Sequence, residues 1–239
     1  MLGRSDERVV AGPRHGAVVR VTHWLTLVAF VALAIRGVEI VFSHPRFYLG
    51  ETGNVNMKPL FTLPVASSRD TVPTAYRYVL PDQNGWSRAL HFEAAWLLLF
   101  VGVVYVASGL WSGRFRRELR PSGGAWDVLR GYLRLGPMRE EPVRSYNALQ
   151  RAAYAAVVFV AFPLMIWTGL AMSPAFTAVF PWAPLIVGGR QTARTLHFFL
   201  TWGLVLFVVV HVVMVSTSGF VARMRGMITG GAHGDGGAA

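Results

Sequence analysis

Four long apolar runs constrain this chain more than any other feature of its sequence. They cover roughly Val18–Phe42, Leu90–Trp111, Ala148–Met172 and Arg194–Thr217. Crossing about 30 Å of hydrocarbon takes ~20 helical residues, and each run is long enough to do so. The predicted fold is an all-α membrane protein: a four-transmembrane-helix bundle, with residues 1–225 forming one domain. The first run does not read as a cleaved signal peptide. It exceeds the ~7–15 apolar residues of such a segment, and no convincing small-residue cleavage site follows it.

Composition supports lipid over water. The chain is 53% hydrophobic and only 15% charged, where soluble domains run nearer a quarter charged. The net charge of +11 does not indicate nucleic acid. The basic residues fall in blocks between the apolar runs, not in a stripe interleaved with surface aromatics. Loops on the cytoplasmic side of a membrane gather Lys and Arg. The segment 112–147 carries Arg114, Arg116, Arg117, Arg120, Arg130, Arg134, Arg139 and Arg144. Arg4, Arg8, Arg14 and Arg20 precede the first span, and Arg223 and Arg225 follow the last. The segment 173–193 has only Arg190, and 43–89 has five basic residues thinly spread among Glu51, Asp70 and Asp82. Both termini are therefore expected in the cytoplasm, with 43–89 as a Pro- and Gly-rich outer cap and 112–147 as the inner loop. Trp126, Leu129, Tyr132 and Leu133 recur at helical spacing, which predicts a short helix on the inner membrane surface. Residues 226–239 read as a disordered tail.

Of seven histidines, His23, His91, His197 and His211 lie inside the spans. A histidine at membrane depth is costly without a partner and is a functional candidate by default. His197 and His211 are 14 residues apart, which on a helix means one face and ~21 Å of axial separation. By depth His23 is level with His211 at the inner side, and His91 is level with His197 at the outer side. Two pairs at two depths suit two stacked haems, each iron held axially by imidazole from both sides. Ala34 and Gly37 share the side of His23, and Gly102 and Gly109 that of His91. Such small residues give a porphyrin edge clearance, although helix packing uses them as often. Zinc would want three or four ligands converging on one point, which this spacing does not offer. His15, His44 and His233 read as solvated. The sequence has no cysteine, which excludes thiolate-bound iron–sulfur clusters and Cys-attached haem in this chain.

Three stretches carry a resemblance to a known family. Arg20-Val21-Thr22-His23-Trp24 opens the first helix, Tyr146-Asn147-Ala148-Leu149-Gln150-Arg151 leads into the third, and the His197/His211 spacing marks the last. Together they resemble the di-haem cytochrome b subunits of formate dehydrogenases, nickel–iron hydrogenases and thiosulfate reductases (bacterial cytochrome b561-like). The resemblance implies that His23 and His211 hold an inner haem b, and His91 and His197 an outer one. It also implies a quinone site beside the inner haem, mapping to Asn147 and Gln150, and a place in the bacterial inner membrane. Asn147 could equally cap the third helix. The long first loop, His91-Phe92-Glu93-Ala94-Ala95-Trp96 and Gly113-Arg114-Phe115-Arg116-Arg117 are closer to cytochromes serving periplasmic molybdenum enzymes of the sulfite-oxidase type.

The expected function is electron transfer between a periplasmic molybdenum or iron–sulfur oxidoreductase subunit and the quinone pool. Arg20 and Arg36 are candidates to neutralise haem propionates, although Arg36 could instead pair with Glu39 one turn on. A transporter would want inverted repeats and ionisable groups at the midplane, and neither is evident. A haem-free membrane anchor stays open as the other alternative.

Overall fold

The computed structural model describes residues 15–54, 56–65, 84–119, 126, 130–131, 148–217 and 219–230. Four helices in it are long and apolar enough to cross a membrane. The first is α1 (Ala17–Ser43). A two-residue antiparallel hairpin follows, β1 (Arg46–Phe47) against β2 (Phe61–Thr62). The second span is α2 (Asn84–Trp111), with a one-turn helix α3 (Arg114–Glu118) behind a Gly113 in the left-handed region. The third runs over Ala148–Met172 in three pieces: α4 (Ala148–Ala156), a π-turn (Val157–Ala161) and α5 (Phe162–Met172). Pro163 has no N–H to donate to the preceding turn. Widening the helix just before it is a common way to absorb that loss. A short α6 (Pro174–Val179) and a 3-10 turn (Ala183–Val187) lead to the fourth span, α7 (Arg190–Thr217), and to a final α8 (Phe220–Ile228).

In hydrocarbon every backbone amide needs an internal partner, which only helices or closed barrels provide. Their apolar side chains can then face outward. On α1 the exposed Val21, Val28 and Ile35 recur every seven residues, a stripe about 200° around the helix from His23. Small residues line the contacts between helices. Ala29 of α1 is 1% exposed, and Ala171 of α5 and Ala193 of α7 are fully buried. Close backbone approach through such residues is how membrane helices associate. α1 packs along α2, and α5 packs along α7. Two helix pairs therefore stand side by side.

The ends differ from the sequence reading in instructive ways. α2 begins at Asn84 and α7 at Arg190, six and four residues before the apolar runs do. Hydropathy marks the hydrocarbon, while the helix continues past it through polar residues such as Arg88 and Gln191. α8 is helical through Ile228, inside the start of the predicted tail, and residues 231–239 lie outside the described residues. Trp24 Nε1 donates to the Met227 carbonyl at 3.1 Å and Arg20 Nη1 to that of Ile228 at 3.5 Å. The expected inner-surface helix lies outside the described residues, except that the Arg130 guanidinium sits over the Trp126 ring at 5.4 Å.

The first loop forms a roof at one end of the bundle. Phe47, 1% exposed, stacks on Phe61 at 4.6 Å and meets Phe198 of α7 at 4.6 Å. The Gly50 carbonyl accepts from the Gln191 and Thr192 amides at 2.9 and 3.2 Å, and the Glu51 carboxylate from the Arg190 amide at 2.9 Å. These are N–H groups that the first turn of a helix leaves without internal partners. A carboxylate also complements the positive end of the helix dipole. Arg194 donates to the carbonyls of Arg46, at 3.0 Å, and His44, and its guanidinium lies over the Phe47 ring at 4.6 Å. Thr195 donates to the Tyr48 carbonyl at 2.8 Å. This hairpin end and the far end, where α8 folds back, frame the candidate site.

Candidate functional site

The four span histidines meet two by two. Near the hairpin end His91 of α2 faces His197 of α7, with ring centroids 6.3 Å apart and planes at 57°. Near the far end His23 of α1 faces His211 of α7, again at 6.3 Å, with planes at 51°. The 14-residue step along α7 separates the two pairs by ~21 Å on one face. The same step recurs elsewhere. On α1, Gly37 stands 14 residues beyond His23, and on α2, Tyr105 stands 14 beyond His91.

Of the small residues singled out from sequence, Gly37 faces His91, where an added Cβ would stand 3.7 Å from Cε1, an ordinary contact. Gly169 of α5 faces His197 in the same way, at 3.5 Å from its Cε1. Gly109 is covered by the Phe115 ring of α3, whereas Gly102 faces open space.

The surroundings of the four rings are unequal. His197 Nδ1 lies 2.9 Å from Thr168 Oγ1. The Nδ1 atoms of His23 and His91 are buried with no hydrogen-bond partner. Trp24 packs edge-on to His23 at 5.2 Å. Phe207 stacks on His211 at 6.0 Å, and Tyr154 meets it edge-on at 6.4 Å. Among the described residues no three of His, Asp and Glu converge as a metal-binding group.

The remaining predicted residues have other partners or fall elsewhere. Arg36 Nη1 donates to both Glu39 oxygens at 2.9 and 2.8 Å, and Ser87 Oγ donates to Glu39 Oε2 at 2.5 Å. That is the ion-pair alternative for Arg36, extended across to α2. Arg20 reaches the C-terminal end of α8, with its Nε buried and without a hydrogen-bond partner. Gln150 lies half-buried in the first turn of α4, and Asn147 lies outside the described residues. Thr168, Trp24 and Arg194 were not singled out from sequence. Thr168, a buried hydroxyl in an otherwise apolar run, carried the one signal that could have found it.

The match to a protein-family model decides the family. The model for prokaryotic cytochrome b561 matches residues 14–230. The chain belongs to the prokaryotic cytochrome b561 family. A putative protein-methionine-sulfoxide reductase subunit YedZ1 from Azospira oryzae is 31% identical over 225 residues, covering 89% of this chain and 96% of the relative. A probable Ni/Fe-hydrogenase B-type cytochrome subunit from Cupriavidus necator is 27% identical over 232 residues, covering 87% of this chain and 83% of that one. No solved structure matches. This cytochrome b561 is thus a multi-pass protein of the bacterial inner membrane, in an electron-transfer family that carries b-type haem.

The residues fit such a group. Imidazole–metal bonds are about 2.0 Å long, and two of them with half a ring on each side span about 6 Å between centroids. Both pairs stand at that separation.

Proposed function

We propose that this cytochrome b561 binds two b-type haems, between His91 and His197 and between His23 and His211, and carries electrons between a periplasmic redox partner and membrane quinone. The observation that carries this reading is the repetition of one ring separation at two depths, with one ligand of each pair on α7. When bound, the haems supply one-electron redox centres near both faces of a core too thick for a single one to serve.

The chain's own residues do the positioning. α7 sets the depth of both sites by its 14-residue step, while α1 and α2 each bring one opposing imidazole. Gly37 and Gly169 lie beside two of those rings, an added Cβ standing 3.7 and 3.5 Å from them. The arginine distribution supports both termini in the cytoplasm, which makes the hairpin end periplasmic. There the roof over α7, with Lys58 and Arg190 exposed upon it, offers a surface to a molybdenum or iron–sulfur subunit. The relatives' names, a reductase subunit and a hydrogenase cytochrome subunit, support such a partner. At the cytoplasmic end Gln150 and Asn147 open the third span, where an amide can donate a hydrogen bond to a quinone carbonyl.

Acid–acetone extraction tests the stoichiometry. Two non-covalent haems per fully loaded chain are expected, and one or none would overturn the pairing. A haem-free anchor or transporter subunit would show no b-type bands at all. Asn147→Ala and Gln150→Ala should slow reoxidation by a quinone analogue in stopped flow while both haem spectra persist. Unchanged rates at full loading would remove these residues from the quinone site.

A further inference from the structure

Thr168 sits in α5 with no exposed surface, in an otherwise apolar stretch. Its hydroxyl has one proton and two lone pairs. The Leu164 and Met165 carbonyls lie 2.9 and 3.0 Å from Oγ1, and a carbonyl can only accept. The hydroxyl proton is therefore committed to the helix's own backbone, as threonines within helices commonly arrange. The 2.9 Å contact with His197 Nδ1 then has one consistent polarity. Nδ1 carries a proton and donates it to Thr168 Oγ1. With Nδ1 protonated, the lone pair of this neutral imidazole is on Nε2.

We infer that Thr168 is a positioning residue which fixes the tautomer, rotation and electron donation of His197, and thereby sets the haem at the hairpin end apart from the one at the far end. The inference rests on the two-haem reading above. Metal-bound histidines hold their orientation through the bond made by the other ring nitrogen, and an accepting partner makes the ring a stronger electron donor. A stronger donor favours the ferric over the ferrous state, so this bond lowers the midpoint potential of the haem it serves. Gly169, the next residue, lies beside the same ring, an added Cβ standing 3.5 Å from His197 Cε1. His23 has no counterpart, since its Nδ1 is buried without a hydrogen-bond partner.

The test uses the full-length protein in detergent or membranes, with haem counted before anything else is measured. Fewer than two haems in the unaltered protein would sink the two-haem reading and not Thr168 specifically. With two present, optical redox titration and low-spin electron paramagnetic resonance are compared for the unaltered protein, Thr168→Val and Thr168→Ser. Thr168→Val keeps the shape and removes the acceptor. It should raise the midpoint of one haem, shift the largest g-value of that haem alone and leave the other unchanged. Thr168→Ser should restore both signatures. A His211→Ala background, which keeps only the hairpin-end haem, identifies which component moved. If Thr168→Val fails to retain that haem, the serine variant decides: native loading and potential support the role, and behaviour like valine overturns it. Unchanged midpoints and g-values in a fully loaded Thr168→Val protein, or equal shifts of both haems, would also overturn it.

Discussion

The two ends of the bundle present their histidine pairs at the same separation, 6.3 Å between centroids, yet enclose them very differently. At the hairpin end the first loop is tied down on α7 by backbone amides, Glu51, Arg194, Thr195 and a stack of phenylalanines. At the far end the described closure is α8, held to α1 through Trp24 and Arg20. Pair geometry follows from helix periodicity, which is the same at both ends of a straight α7. Enclosure follows from the loops, which share nothing. Ligand spacing and access are therefore set by separate parts of the chain, and mutations should separate them.

The largest expected effect breaks the pairs themselves. His91→Ala and His197→Ala should each abolish the haem at the hairpin end, while His23→Ala and His211→Ala should each abolish the one at the far end. Difference spectra of the four variants check this through which component disappears. If His23→Ala and His91→Ala removed the same component, the pairing by depth would be wrong.

The next effect is confined to the hairpin end. Arg194→Ala withdraws donors from the carbonyls of His44 and Arg46 and a cation from the Phe47 ring. A buried acceptor deprived of its donor costs about 1–3 kcal/mol; these carbonyls are partly buried, so a loss of about 1–2 kcal/mol is expected. Thermal loss of the hairpin-end haem should come earlier and trypsin should cut faster after Arg46, with the far-end component melting as before. Equal destabilisation of both components would mean that the roof and the bundle are one cooperative unit.

Two glycines refine the contrast further. Gly189 and Gly219 both have positive φ, 109° and 89°, where a side chain costs about 1–3 kcal/mol. At Gly189 an added Cβ would also overlap the Gly50 carbonyl, whereas at Gly219 it meets nothing within 4 Å. Gly189→Ala should therefore destabilise more than Gly219→Ala, by melts of the purified variants. A reversed order would mean that the approach of Gly50 to Gly189 contributes little.

The histidine pairs were legible in the sequence because one number, the 14-residue step, fixes both face and depth. The spans were legible because hydrocarbon demands apolar length. The first loop was read as a cap from its Pro and Gly content, but its partners were not, because nothing local in Phe47, Gly50 or Glu51 names Arg194 or Thr195, about 145 residues away. Gly37 was noted as a small residue on one face of α1, but azimuth does not tell that a neighbouring helix brings His91 to that face. Thr168 was passed over for the same reason. A hydroxyl that satisfies its own backbone reads as ordinary until His197 is seen beside it.

The smallest effect concerns Arg36, where the sequence left two readings open. Its neighbour Gly37 faces His91, so Arg36 lies at the depth of the hairpin-end pair and a charge there could act on that haem. A cation near a haem favours the reduced form, which carries one more negative charge. If Arg36 served a propionate, Arg36→Gln would lower that midpoint, opposite in sign to the shift expected for Thr168→Val. The structure instead gives both Glu39 oxygens to Arg36, with side chains 26% and 22% exposed, and Ser87 donates to the same carboxylate. A partly exposed pair one turn apart contributes about 0.2–1 kcal/mol. Arg36→Gln should therefore cost that much stability and leave both midpoints in place. Ser87→Ala, which removes a buried donor from Glu39, should cost at least as much. Redox titration beside thermal melts separates the two outcomes, and a lowered hairpin-end midpoint at full haem loading would return Arg36 to the propionates.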